Sequence, residues 1–100
     1  MTKLLELLEA GQVEEFNDTR SHRSAPNLFA ADLAGKDLRG VDFSGVNLEK
    51  ADLTGADLRG SVLARANLSG ADLTGVRLEE VVAVKSRWTE AWLEEAQLEK

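Results

Sequence analysis

One hundred residues, 43% of them hydrophobic, make one small domain, a size at which a compact core stabilises only marginally and regular stacking helps. Without cysteine the chain has no thiol nucleophile and no Cys-based zinc or iron–sulfur site, needs no oxidising compartment, and fits a cytoplasmic address. A formal charge of −6 and a pI near 4.7 argue against direct binding to nucleic acid, which requires a concentrated basic face, and suit a basic protein partner better.

The N-terminal stretch Met1 to Ala10 carries Leu4, Leu5, Leu7 and Leu8, with Thr2 placed to cap and Gly11 to end a helix. Glu6 and Glu9 interrupt it, and it lacks a long apolar core and a small-residue cleavage site, so it reads as neither signal peptide nor membrane span. A second turn-rich piece presents Val13 and Phe16, with Phe16 placed to plug whatever follows, and Asn17 to Ser24 reads as a loop. Residues 1–24 are expected to form an N-terminal helical cap and loop.

From Leu28 onward every fifth residue is large and apolar: Leu28, Leu33, Leu38, Phe43, Leu48, Leu53, Leu58, Leu63, Leu68, Leu73 and Leu78. Two residues before most of them sits Ala or Val, immediately before is nearly always Asp or Asn, and two residues after is usually Gly. A period of five fits neither the 3.6 of a helix nor the 2.0 of a flat strand, so no straight element keeps these leucines on one face. The chain must turn once per unit, with one strand-like step of apolar–polar–apolar residues and a glycine-bearing corner. One turn of such a coil cannot bury its own leucines; stacked coils, about 4.8 Å apart, can.

Units such as Ala51-Asp52-Leu53-Thr54-Gly55 and Ala71-Asp72-Leu73-Thr74-Gly75 resemble the pentapeptide-repeat family, whose consensus is A(D/N)LXX. The resemblance implies an all-β solenoid, a right-handed quadrilateral β-helix of about three coils over residues 25–82, with stacked positions about twenty residues apart. Leu28, Leu48 and Leu68 would then form one internal ladder; Leu33, Leu53 and Leu73 a second; Leu38, Leu58 and Leu78 a third; and Phe43 over Leu63 a fourth. Lys36 takes a position the family buries, which is tolerable where its ammonium snorkels past an open first coil. Ser61 and Val62 are smaller exceptions. Gly11, Val13, Phe16, Asn17 and Arg20 look similar to leader segments before other pentapeptide arrays, and are expected to serve as a structural cap.

Past Leu78 the frame weakens, Ala83 takes a centre position, and glycine disappears. Thr89 to Leu98 has strong helix formers, a threonine at the N-cap and acidic residues in the first turn. A helix competes with a fourth coil over residues 83–100; loss of the glycine corners favours the helix, with Trp88 and Trp92 packing on the last coil or on a second copy.

His22, the sole histidine, lies in a polar loop between Arg20 and Arg23, with no metal-ligand spacing around it. No serine sits in an elbow motif, and the glycines lack the Gly-Lys-Ser/Thr ending of a phosphate loop. The expectation is a non-enzymatic bacterial-type scaffold without catalytic residues, cofactors or metal. Its partner would be a protein or a second copy, in a homodimer through the C-terminal segment, and neither nucleic acid nor membrane. Asp32, Asp52 and Asp72 would stack along one outer face and Asp37 and Asp57 along the next. These five, with Trp88 and Trp92, are the candidate contact surface. The resemblance extends to quinolone-resistance proteins that bind DNA gyrase, so the Asp rows could imitate a phosphate ladder. Against this, Arg39 and Arg59 dilute the stripe, those proteins carry longer arrays, and Asp or Asn here is a generic feature that serves coil hydrogen bonds.

Overall fold

The computed structural model describes residues 2–20 and 25–96, the side chains of residues 2–4 excepted. His22, the end of the leader loop and Leu98 lie outside the described residues, as does the side chain of the capping Thr2.

In the coil, each pentapeptide makes the same local structure. The backbone N–H that begins one unit donates to the centre carbonyl of the unit before, as Ala31 does to Leu28 at 3.0 Å and Ala56 to Leu53 at 2.9 Å. The residue before that donor has a positive φ, for example 69° at Gly55, as a type II turn requires of its third residue. The chain therefore bends once per five residues and points every centre side chain inward.

Parallel bridges join residues one coil apart in an unbroken series from Asn27↔Asn47 to Asp72↔Trp92. Four units thus close one coil. Face 1 carries the centres Leu28, Leu48, Leu68 and Trp88; face 2 carries Leu33, Leu53, Leu73 and Leu93; face 3 carries Leu38, Leu58 and Leu78; face 4 carries Phe43, Leu63 and Ala83. Centre N–H groups donate to the next coil (Leu33 to Asp52 O, 2.8 Å), and the preceding residue donates to the coil before (Asp52 to Ala31 O, 2.9 Å). The core is the interior of this stack: Leu33, Leu38, Leu48, Leu53, Leu58, Leu63, Leu68 and Leu73 are fully buried, with Ala56, Ala66 and Ala71 between them. Lys36 is half-buried in the first coil.

Two helices precede the coil, α1 (Thr2–Glu9) and α2 (Val13–Thr19). The apolar stripe of α1 delivers Leu8, and α2 delivers Phe16, into the same buried cluster as the coil leucines. Phe16 meets Phe43 edge to face, ring centroids 5.7 Å apart, a geometry aromatic quadrupoles favour. Asn17 belongs to α2 rather than to the expected loop.

The described part of the C-terminal segment, residues 83–96, is not a helix. The unit pattern continues through residue 96, so the stack extends past residue 82 into a fourth coil and the described part of 83–100 is no separate element. The absent glycines do not stop it: Glu80, Lys85, Glu90 and Glu95 adopt φ of 59–62°, and Ala30, Lys50 and Arg65 adopt 58–60° earlier in the coil. Left-handed backbone costs a non-glycine residue roughly 1–2 kcal/mol. The exposed edge of the preceding coil offsets it, because its N–H groups need acceptors: Gly60 and Arg65 of the second coil donate to Glu79 O and Val84 O of the third, at 3.0 and 2.8 Å. Leu68 donates to Arg87 O at 2.7 Å, Gly70 to Thr89 O at 2.8 Å, Leu73 to Trp92 O at 2.7 Å and Gly75 to Glu94 O at 2.8 Å. Templating by the finished coil overrides local helix propensity. Among the described residues no helix is long and apolar enough to cross a membrane.

Candidate interaction surface

The outward positions of each unit are the residues just before and just after the centre, so each face displays two ladders. On face 2 the bridges stack Asp32, Asp52 and Asp72, and the row then closes at Trp92. On face 3 they stack Asp37, Asp57 and Arg77; on face 1, Asn27, Asn47, Asn67 and Arg87; on face 4, Asp42, Val62 and Val82.

Each Asp or Asn in these ladders performs the same local task. Its Oδ1 accepts the backbone N–H two residues on: Phe29 to Asn27 at 3.0 Å, Ala34 to Asp32 at 3.3 Å, Ser44 to Asp42 at 3.0 Å, Thr54 to Asp52 at 3.0 Å and Thr74 to Asp72 at 3.1 Å. That N–H points away from both neighbouring coils, so the side chain supplies the acceptor which the ladder lacks. On face 2 the threonine hydroxyls add a second bond to the same oxygen, 2.6 Å at Asp52 and 2.7 Å at Asp72. The Thr74 hydroxyl, with the Thr74 N–H, holds the Asp72 carboxyl below its ordinary range.

Face 3 is zwitterionic rather than acidic. The Arg39 guanidinium forks onto Asp37 (2.9 and 2.8 Å), and Arg59 onto Asp57 (2.9 and 2.6 Å), bidentate pairs that add orientation to charge. Arg39 Nε also lies 3.9 Å from Asp57. The Arg39 hydrogen bond lowers the Asp37 pKa to about 2, and that of Arg59 lowers Asp57. An open groove of about 570 Å³ lies where the α1–α2 link passes this face, lined by Glu14, Glu15, Asp37 and Arg39.

The two tryptophans do not act together. Trp88 occupies a centre position, partly buried against the core, with its Nε1 donating to Ser86 Oγ. Trp92 is outward and 61% exposed. The five-residue period, and not a helical one, sends them to opposite sides of the coil wall.

A family model for pentapeptide repeats, in eight copies, matches residues 27–60 and 42–79. The chain belongs to the pentapeptide-repeat family. Its neighbours in that family are known as right-handed β-helices. The pentapeptide repeat protein alr5209 from Nostoc PCC 7120 is 34% identical, with a TM-score of 0.80, over 100% of this chain and 76% of that one. HetL, a pentapeptide repeat protein involved in heterocyst differentiation regulation from the cyanobacterium Nostoc sp. strain PCC 7120, is 28% identical, with a TM-score of 0.50. That match covers 71% of this chain and 38% of HetL, so the chain spans well under half of HetL's length. No curated protein matches the chain significantly.

Within the pentapeptide-repeat frame, the departures from Asp or Asn stand out as Val62, Arg77, Val82, Arg87 and Trp92. The sequence pattern marked Val62 as irregular. It did not connect Val62 with Val82 and Val84, because that juxtaposition exists only once coils are stacked.

Proposed function

We propose that this chain is a non-enzymatic structural or protein-interaction module, working in the cytoplasm and presenting the faces of a rigid β-helix to a protein partner or to a second copy. The observation that carries this reading is the use of the Asp and Asn side chains. Their Oδ1 atoms hold backbone N–H groups, which accounts for the acidic rows as wall-building without a chemical reaction. Partner recognition then falls to the side chains that depart from the repeat, Trp92 among them. A homodimer through the C-terminal segment belongs to the same proposal, on the strength of the exposed Trp92 and Leu93. HetL's involvement in regulation supports a binding role better than a catalytic one.

The bridged row Asp32, Asp52 and Asp72 favours a second reading, in which an evenly spaced acidic ladder imitates the phosphates of duplex DNA and binds the basic groove of a topoisomerase such as DNA gyrase. The readings separate on purified gyrase, titrated with wild type and with Asp32→Asn/Asp52→Asn/Asp72→Asn at low and high salt. Asparagine retains the Oδ1 acceptor and removes the charge. The module reading predicts no specific binding by either protein; salt-sensitive binding by wild type alone would establish the mimic.

A further inference from the structure

Face 4 differs from the other three. Val62 and Val82 are bridged neighbours at the outward position that elsewhere carries Asp or Asn, and Val84 and Ala64 occupy the other outward positions of the same two units. Val82 is 48% and Val84 62% exposed. The two valines at 62 and 82 also forgo the side-chain acceptor for the N–H groups of Ala64 and Val84, so they neither brace the wall nor fill the core. Along the corner that ends this face, Arg65 and Lys85 stack one coil apart, the Arg65 N–H donating to Val84 O at 2.8 Å. Arg87 follows at the outward position of face 1. The ion pairs of the described residues engage Arg20, Arg39, Arg59 and Arg77, and none involves Arg65, Lys85 or Arg87. Glu80 stands at the opposite corner, before Val81, and Asp42, at the N-terminal end of the strip, is engaged by Arg20 at 3.4 Å.

In a chain of net charge −6, three cations without ion-pair partners among the described residues, beside the exposed Val82 and Val84, form a locally basic, apolar patch. We infer that the strip Val62, Ala64, Val82 and Val84, with Arg65, Lys85 and Arg87 along its edge, is the docking surface for an extended acidic segment of a partner protein. In an extended segment alternate side chains face one way at a spacing of roughly 6.8 Å, the spacing between outward residues within one unit of this wall. Apolar side chains of the segment cover Val82 and Val84, and its carboxylates reach past the corner to Arg65, Lys85 and Arg87. Burial of the valines supplies affinity, and complementary charge supplies orientation and selectivity. The inference rests on the interaction-module reading and gives that module a face and a partner chemistry.

The test is a titration of the 15N-labelled full chain with two short peptides, each carrying valines at alternate positions, followed in one by a run of glutamates and in the other by a run of lysines, read from amide chemical shifts. The variants are Val82→Ser/Val84→Ser and Arg65→Glu/Lys85→Glu. Neither pair touches the core, and glutamate already occupies the equivalent corners at Glu80, Glu90 and Glu95 with φ near 60°, so both variants keep the fold; far-UV circular dichroism checks this. The expected result is shifts confined to face 4 and its corner with the glutamate peptide, at least about tenfold weaker binding by either variant, and a switch to the lysine peptide in Arg65→Glu/Lys85→Glu. Equal binding of both peptides, shifts on another face, or no binding by wild type would overturn the inference. So would anionic vesicles or a second copy of the chain proving to be what the valines hold. A failure here with a genuine protein partner mapped to another face would leave the module reading intact.

Discussion

The side-chain oxygen of Asn17 accepts the backbone N–H of Asp42 at 2.8 Å, taking the place that the Val41 carbonyl holds for Val62 one coil later. The Asn17 amide also donates to Gly40 O at 3.0 Å, so one side chain of α2 satisfies both polarities of the first coil's open edge. Asn17→Asp removes the donor and sets a carboxylate against the Gly40 carbonyl; Asn17→Ala removes both bonds. Each is expected to lower stability by about 1–3 kcal/mol, read from urea denaturation, with the aspartate variant at least as destabilised as the alanine one.

Ser61 sits fully buried in face 4 between Val41 and Val81, and its Oγ has no hydrogen-bond partner among the described residues. A buried unsatisfied hydroxyl costs about 1–3 kcal/mol. Ser61→Ala keeps the small volume and removes the hydroxyl, so its thermal midpoint should rise above that of wild type, whereas Leu58→Ala should fall by about 2–5 kcal/mol for the cavity it leaves.

The Asp–N–H bonds separate structural from surface roles at one position. Asp52→Asn keeps the acceptor at Thr54 and should be close to neutral. Asp52→Ala leaves the Thr54 N–H and hydroxyl without their shared oxygen and should cost about 0.5–1.5 kcal/mol. Thermal unfolding of the pair decides it: equal loss in both variants would mean that the negative charge, not the turn, is what matters.

Asp37 titrates at about 2 and Asp57 below its ordinary value, chiefly through the hydrogen bonds from Arg39 and Arg59. The native carboxyls hold their protons less tightly than the unfolded ones, so the unfolded chain binds more protons at acid pH. Their stabilisation is complete above the unfolded carboxylate range near pH 4 and is lost as pH falls toward about 2. The Arg39–Asp37 pair is exposed and the Arg59–Asp57 pair partly so, and solvent screening keeps the effect small. Arg39→Gln/Arg59→Gln should flatten this acid limb by lowering stability slightly near neutral pH, while leaving stability below about pH 2 almost unchanged.

Much of this architecture is legible in the sequence because the period of five excludes both regular alternatives and the centre leucines name the core directly. Phe16 as the plug over the first coil could be read in the same way, since an exposed leucine end needs an apolar cover. The fourth coil was hidden: residues 83–96 lack glycine and carry helix formers, and only the hydrogen-bonding demand of the coil beneath, a long-range effect, draws Glu80 and Lys85, then Glu90 and Glu95, into left-handed backbone. The opposite fates of Trp88 and Trp92 follow from that same misreading. Val62 was visible as an exception, but its patch with Val82, Val84 and Arg65 spans two coils and has no local signature.

The interaction-module account is tested most directly by capture from a bacterial lysate, with quantitative mass spectrometry, on wild type and on Asp32→Asn/Asp52→Asn/Asp72→Asn. The account predicts a specific protein partner retained equally by both baits, because asparagine preserves the wall and the acidic row is not the recognition element. Salt-sensitive retention of a topoisomerase by wild type alone would contradict it.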